Sequence, residues 1–285
     1  MGIRFGPSGN SDSFYEQGYK HTHQAPEYLA KMGLNAFEYS FGRGVRMSRS
    51  TAAAIRASME EYDIALSVHA PYFINLCVDD EERIAKNKRY FLETAKAAQM
   101  MGADRAIFHP GSVSKMTRER GMALALPLLK EILDELDARG LGEVRFCPET
   151  MGKLNQLGDL DEMIRICLAD DRLIPAVDFA HLHARGNGAL TSREDFARVL
   201  DALENGLGEE RAKKMHIHFS TIEFTQMGEK RHRTFAETEY GPRFELLAPL
   251  LAERGYAPRV ICESNGTMAE DAATMRDIYD SVLND

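Results

Sequence analysis

Short apolar runs alternate with longer amphipathic segments along the whole chain. The runs are IRFG (3–6), NAFEYS (35–40), IALSVH (64–69), RAIFH (105–109), EVRFCPE (143–149), IPAVD (174–178), KMHIHF (214–219) and RVICE (259–263). Most of them lack a clean alternation of polar and apolar residues. We therefore expect strands that are buried on both faces, as in parallel sheets.

Helical patterns fill the intervals between these runs, at 24–32, 49–62, 81–102, 117–139, 159–169, 192–205, 242–254 and 269–283. Several of them end in a glycine shortly before the next strand, as at Gly33 and Gly102, which is typical of helix C-caps. Eight strand–helix units in series, with no linker or shift in composition, predict a single (β/α)8 TIM barrel of the α/β class over residues 1–285. A doubly wound sheet is the alternative, but the turn after the first run, FGPSGNSDS, lacks the GxGxxG spacing of a phosphate-binding turn.

Composition narrows the possible partners. The chain has 285 residues, of which 44% are hydrophobic, so it is long enough to bury one large core. Its net charge of −9 argues against a protein that coats nucleic acid. It leaves open an enzyme with a local basic face, or one whose acidic groups bind divalent cations.

The cysteines and the N-terminus indicate a cytoplasmic protein. Cys77, Cys147, Cys167 and Cys262 form no CxxC pair, and we expect buried, reduced thiols. The N-terminal MGIRFGPSGN is neither long nor apolar enough for a signal peptide, and no apolar run is long enough for a membrane span.

Six consecutive predicted strands end in a side chain that can bind a metal ion. These side chains are His69, His109, Glu149, Asp178, His216 and Glu263. Four further histidines follow strand ends, namely His181, His183, His218 and, in the long loop 220–241, His232. A lone histidine at a strand end is usually structural. Because the strand ends of a barrel meet at one rim, however, the whole set predicts a common site.

The donor types favour a catalytic metal site. Histidine with aspartate and glutamate, without cysteine, suits zinc, manganese or iron. Two ions bridged by a carboxylate such as Glu149 could hydrolyse a phosphodiester. One divalent ion held by the same groups could instead polarise a sugar carbonyl during proton transfer.

Seven motifs, in order over residues 67–265, resemble the endonuclease IV family of apurinic/apyrimidinic endonucleases, within the xylose-isomerase-like barrel superfamily. The motifs are SVHAPYFINL, FHPGS, PETMGK, VDFAHLHARG, HIHFS, KRHRTF and CESN. The resemblance implies two or three zinc ions, with Mn²⁺ or Fe²⁺ as alternatives. The first would be held by His69, His109 and Glu149, the second by Glu149, Asp178, His216 and Glu263, and the third by His181 and His232.

The reaction implied by the resemblance is hydrolysis of duplex DNA 5′ to an abasic site, by a metal-bound hydroxide that Glu149 and Glu263 orient or activate. Tyr72 and Phe73 would form an apolar wedge in kinked DNA. Arg43 is a candidate phosphate contact. The resemblance also favours a monomer.

Departures from the family pattern affect the third site. Lys230 precedes His232, where the family has an aspartate, and a protonated lysine cannot bind a cation. Glu223 or Glu229 could substitute, but a shift by one residue is expected to turn the side chain of Glu229 away. The roles of His183 and His218 stay open.

The alternative function is that of a sugar or sugar-phosphate isomerase or epimerase with one divalent ion. It is favoured by Glu38 at the end of the second predicted strand, by Lys230 and by the acidic charge of the chain. A metal-binding scaffold without catalytic activity is a third hypothesis.

Overall fold

Eight parallel strands close into a barrel in the computed structural model, which describes residues 2–284. The barrel strands are β1 (Arg4–Pro7), β2 (Ala36–Ser40), β3 (Ala65–His69), β4 (Arg105–Phe108), β5 (Arg145–Pro148), β6 (Ala176–Asp178), β7 (His216–Phe219) and, after a hairpin of β8 (Thr221–Thr225) and β9 (Gly228–Arg233), β10 (Arg259–Cys262). Two half-barrels, ordered β1-β10-β7-β6 and β2-β3-β4-β5, are joined by parallel bridges from Ser8 to Glu38 and from Glu149 to Ala176. The predicted (β/α)8 barrel is confirmed.

Eleven α-helices accompany the strands in the described part of the chain. They are α1 (Asp12–Glu16), α2 (Ala25–Lys31), α3 (Arg49–Glu61), α4 (Glu81–Met101), α5 (Arg118–Ala138), α6 (Leu160–Leu168), α7 (Phe179–Arg185), α8 (Arg193–Leu207), α9 (Glu209–Lys213), α10 (Phe244–Glu253) and α11 (Met268–Asn284). The eight predicted helices are all present, whereas α1, α7 and α9 are short additions. Between residues 2 and 284, no helix combines the length and the apolarity needed to cross a membrane.

Side-chain caps explain where several helices begin and end. Asp80 and Thr117 precede α4 and α5, and each accepts a hydrogen bond from the backbone N–H three residues later. Gly33 and Gly102 follow α2 and α4 with φ of 68° and 77°, the left-handed conformation that glycine adopts without strain. Polar N-caps and glycines at the C-terminal ends thus set the boundaries that the sequence pattern predicts.

The main core lies between the strands and the helices. Phe91 of α4 packs on Phe108 and Phe146 of the strands, with ring centroids 5.0 and 4.8 Å away. Truncating one such buried ring to alanine typically costs about 3–5 kcal/mol of stability. The four cysteines are buried and unpaired, as predicted, and burial raises the pKa of the Cys147 thiol to about 12.

Strand β7 carries apolar side chains on its outer face and histidines on the face that lines the barrel interior. Side chains alternate along a strand, so Ile217 and Phe219 face the helices, where the ring of Phe219 meets that of Phe244 edge to face, with centroids 5.1 Å apart. His216 and His218 face the barrel interior and are fully buried. The two histidines therefore stand one above the other on the path to the C-terminal rim.

Candidate metal centre

The first group of candidate ligands comes from the ends of β3, β4 and β5. The Nε2 atoms of His69 and His109 lie 3.2 and 3.1 Å from Oε2 of Glu149. The Nδ1–H of His69 donates to the carbonyl of Ala70 at 2.9 Å, so its Nε2 is free to bind a cation. Three donors that converge in this way form a candidate metal-binding group.

A second group uses the other oxygen of the same carboxylate. Oε1 of Glu149 lies 2.9 Å from Nδ1 of His218, which is 3.5 Å from Oε1 of Glu263. Asp178 completes the group. Its Oδ1 accepts the backbone N–H of His181, whereas its Oδ2 is buried with no hydrogen-bond partner in residues 2–284. Glu149 therefore connects the two groups, as a bridging ligand does.

His216 does not join the second group, and its assignment to that group needs correction. The structure places it in a buried cluster with Glu38, whereas His218 takes the position expected of His216. Both side chains face inwards, and they differ by two residues, or about 6.6 Å, along the strand. The HIHF alternation indicates that both histidines face inwards, but it does not show where β7 ends at the rim. Without that end point, the sequence alone does not select His218 over His216.

The third group consists of His181, His232 and Asp178, which it shares with the second group, and Glu229 lies beside it. Nδ1–H of His181 donates to the carbonyl of Thr150 at 2.9 Å, and its Nε2 lies 3.4 Å from Oε2 of Glu229. The ring of His232 lies 5.2 Å from that of His181. The Nδ1 atom of His232 is hydrogen-bonded to Ser220 at 2.7 Å. The Nε2 atoms of both histidines are therefore left for a cation.

A β-bulge brings Glu229 next to this group. Glu223 pairs with Arg231 and Phe224 pairs with Glu229, so Lys230 is an extra residue on β9. In a regular strand Glu229 and His232, three residues apart, would face opposite sides. The bulge places both on one side, contrary to the expectation that Glu229 turns away. The ammonium group of Lys230 instead pairs with Glu223.

The close approach of the hairpin to the barrel depends on Gly152. A Cβ atom at this position would lie 2.6 Å from Cβ of Glu229 and 2.9 Å from Cδ2 of His181. Only a glycine leaves room for both side chains. The glycine of the PETMGK motif thus has a packing role that its sequence context alone does not reveal.

Burial makes the charges of the centre strongly interdependent. Burial lowers the pKa of His69, but the carboxylate of Glu149 outweighs this effect and raises that pKa to about 9. In the same way Asp178 raises the pKa of His181 to about 9 against the effect of burial. Burial in turn raises the pKa of Asp178 itself. Protons or cations must therefore balance the buried carboxylates.

The donor set fits divalent metal ions. Five imidazoles and four carboxylates meet here, and no cysteine is among them; they are His69, His109, His181, His218, His232, Glu149, Asp178, Glu229 and Glu263. Nitrogen and oxygen donors in this mixture suit zinc, manganese or iron. The orphaned oxygen of Asp178 is the kind of atom that a bound cation would satisfy.

Two open cavities lead to these ligands. One, of about 240 Å³, is lined by His69, Tyr72 and His109 on one side and Glu263 on another. The second, of about 690 Å³, shares Glu263 with it and extends towards Asn265. A small ligand or an extended chain could therefore reach Glu263 from solvent.

The residues predicted to contact substrate lie near the first cavity. Tyr72 and Phe73 are about half exposed, at 49% and 45%, and their rings lie 4.2 Å apart. Arg43 is exposed on the loop after β2, next to Gly42, which lines the cavity. His183 lies elsewhere: its Nδ1 accepts the backbone N–H of Leu190.

Sequence comparisons identify relatives of this chain. A family model described as "Xylose isomerase-like TIM barrel" matches residues 26–278. An uncharacterized protein of Methanocaldococcus jannaschii is 36% identical over 241 residues, which cover 85% of this chain and 86% of that protein. A protein named "Probable endonuclease 4" from Acholeplasma laidlawii is 30% identical over 175 residues, or 59% of this chain. The match spans 58% of the length of that relative.

Solved structures show the same architecture. Endonuclease IV from Thermus thermophilus has a TM-score of 0.70 at 21% identity, with 99% of each chain covered. A D-tagatose 3-epimerase-like protein has a TM-score of 0.72 at 18% identity, with 99% of this chain and 97% of the other covered. At these identities the likeness establishes the shared fold.

Proposed function

Because the chain belongs to the xylose isomerase-like TIM barrel family, we propose that its metal centre hydrolyses phosphodiester bonds, cleaving duplex DNA 5′ to abasic sites as the endonuclease IV resemblance implies. The observation that carries the proposal is that Glu149 contributes one carboxylate oxygen to each of two ligand groups, with a third group beside them. A single ion would need only three or four of these nine side chains.

Three groups so close together suit the hydrolysis of a phosphate ester. Divalent ions in such a centre supply activation of water at neutral pH and neutralisation of the phosphate charge. His69 and His109 would hold the first ion with Glu149, and His218, Asp178 and Glu263 would complete the second. The groups around His181 and Glu229 would hold the third.

Glu263 is the best candidate for a general base. It lines both cavities, whereas Glu149 is 1% exposed and surrounded by histidines. Burial raises the pKa of Glu263, but His218 and His232 outweigh this and hold that pKa below its ordinary value. Its carboxylate is therefore ionised at neutral pH, and it can accept a proton from an attacking water. We assign Glu149 the role of a bridging ligand.

The side chains at the mouth of the first cavity suit an extended substrate. Tyr72 and Phe73 present an exposed aromatic pair beside His69 and His109, suited to enter a base stack where a base is missing. Lys153 is exposed and lines this cavity, and Arg43 is exposed next to Gly42, which also lines it, so both can contact phosphate. Since the chain is acidic overall, these two cationic side chains would have to position the phosphate backbone of the DNA.

The isomerase alternative has weaker support. Glu38 has no exposed surface, lies beneath His218 and lines neither cavity, so it is poorly placed to touch a sugar. Lys230 pairs with Glu223. The structural likeness to a D-tagatose 3-epimerase-like protein is the reason to test this alternative as well.

A cleavage assay combined with metal analysis tests the proposal. We expect metal-loaded protein to cut an end-labelled duplex that carries a tetrahydrofuran abasic analogue, and a chelator to abolish cutting. Glu263→Gln should lower kcat by about 10²–10⁴-fold, whereas Glu253→Gln on the outer surface of α10 should not. An intact duplex with metal-replete protein, or turnover of a ketohexose with one ion per chain, would overturn the proposal.

A further inference from the structure

A buried carboxylate lies directly below the proposed metal centre. Glu38 stands on β2, in one half-barrel, yet its partners His216 and His218 stand on β7 in the other half. All three side chains have no exposed surface. The contact therefore crosses the interior of the barrel, where an ionised carboxylate is costly unless every oxygen is paired.

The two oxygens of Glu38 have different partners. Oε1 lies 3.0 Å from Nε2 of His218, and Oε2 lies 3.1 Å from Nε2 of His216. Oε2 also accepts a hydrogen bond from the hydroxyl of Ser67 at 2.9 Å. Ser67 and His216 thus hold one oxygen, and this leaves the other to face His218.

His218 connects this carboxylate with the ligand groups above. While its Nε2 faces Glu38, its Nδ1 lies 2.9 Å from Oε1 of Glu149 and 3.5 Å from Oε1 of Glu263. A neutral imidazole carries one proton, and the other nitrogen offers a lone pair. A proton on Nε2 satisfies Glu38 and leaves the Nδ1 lone pair for a cation.

We propose that Glu38 is a positioning residue of the metal centre, which keeps the proton of His218 on Nε2 so that Nδ1 can bind the second ion. The proposal rests on the metal centre of the proposed function. Carboxylates that accept the second N–H of a ligating histidine orient its ring in many metal sites. In this role Glu38 never touches substrate.

The wild-type protein offers a test that needs no substitution. We expect long-range ¹⁵N–¹H spectra of metal-free protein, labelled at histidine, to show a proton on Nε2 of His218, and to show that this proton stays at high pH after Nδ1 has lost the proton that it donates to Glu149. The His218→Asn variant assigns the signals. A neutral His218 with its one proton on Nδ1 would overturn the proposal. Because this readout needs no metal, it is separate from the question of whether the protein cleaves DNA.

A pair of variants tests the consequence for metal binding. Glu38→Leu fills a similar volume but removes both carboxylate oxygens, so Nε2 of His218 loses its acceptor. We expect retention of one ion to weaken by about 10–100-fold in competition with a chromogenic chelator. Glu60→Gln, in an exposed pair with Arg56 on α3, serves as the control and should retain all ions.

Two results would contradict this role. Equal metal retention in Glu38→Leu and wild type, both folded by circular dichroism, would show that Glu38 has a structural role only. Loss of one ion in His216→Gln would show that Glu38 and His216 hold an ion themselves. If wild-type protein binds no metal at all, the proposed function fails, and the histidine spectra still decide the position of the proton.

Discussion

At the scale of single residues, the third ligand group depends on which of two neighbouring side chains faces the barrel. Glu229 lies 3.4 Å from His181, whereas Lys230 turns to Glu223. We predict that Glu229→Gln loses one metal ion per chain, because the two histidines keep no charged partner from the hairpin. Elemental analysis after dialysis against a weak chelator measures this loss.

Lys230→Gln is the control for that prediction, since it changes the adjacent position and leaves the ligand group intact. It should retain the same number of ions as wild type. Equal metal content in both variants would contradict the assignment of Glu229.

The strand ends explain why several candidate ligands were predictable at this scale. His69, Asp178 and Glu263 end apolar runs or directly follow them, and the ends of parallel strands meet at one rim. The choice between His216 and His218 was not predictable in the same way, because both alternate positions face inwards. Depth along the strand, which depends on the register with the neighbouring strands, decides it.

At the scale of elements, the bulge in the β8–β9 hairpin determines which residue faces the centre. Moving the carboxylate to the position expected from the family, by the double substitution Glu229→Lys/Lys230→Glu, should remove the third ion. The bulged residue points away from the face that carries His232. Metal stoichiometry and the crystal structure of the variant check this expectation, and a retained ion would indicate a hairpin without the bulge.

A partly buried ion pair between helices affects stability at acid pH. Burial raises the pKa of Glu162 on α6, but hydrogen bonds from Arg118 on α5 and from the backbone of Gly158 and Asp159 outweigh this and lower that pKa below 4.5. A depressed folded-state pKa stabilises the protein above pH 4.5, and this contribution is lost as the pH falls through the folded value.

We therefore predict that Glu162→Gln lowers the free energy of unfolding at pH 7 by about 1–3 kcal/mol. The difference from wild type should shrink as the pH falls below 4.5. Urea titrations at several pH values measure it. Glu135→Gln, in an exposed pair with Arg139, is the control and should change stability by less than about 1 kcal/mol. A difference that does not vary with pH would contradict the role of this ion pair.

At the scale of the whole molecule, the metal centre places charged groups in the middle of the barrel. Glu149 and Asp178 are 1% and 0% exposed, and each is within 3.5 Å of an imidazole. Bound cations would balance these carboxylates and stabilise the native state by mass action, by about 2.7 kcal/mol for one site at one hundred times its Kd.

Removal of metal should accordingly lower Tm by several degrees, as about 2–4 °C per kcal/mol is typical for a chain of this size. Calorimetry on chelated and reconstituted protein measures the shift. Chelator-treated Glu229→Gln should show a smaller shift than wild type because it has one ion fewer to lose. An unchanged Tm after complete metal removal would contradict this expectation.

The sequence by itself determined the barrel and the rim at which its chemistry lies. Eight apolar runs separated by amphipathic segments predict eight parallel strands, and polar residues at their ends mark the functional side. Local patterns suffice for this much because the periodicity of each element and its capping residues are encoded in nearby positions.

Only the tertiary structure decided which candidate donors lie in one group. The selection of His218 over His216, the turn of Glu229 towards His181 and the burial of Glu38 each depend on register, on a bulge or on a contact across the barrel. The physical reason is common to all three. A shift of one or two residues along a strand changes the depth or the face of a side chain, while the local sequence pattern stays almost the same.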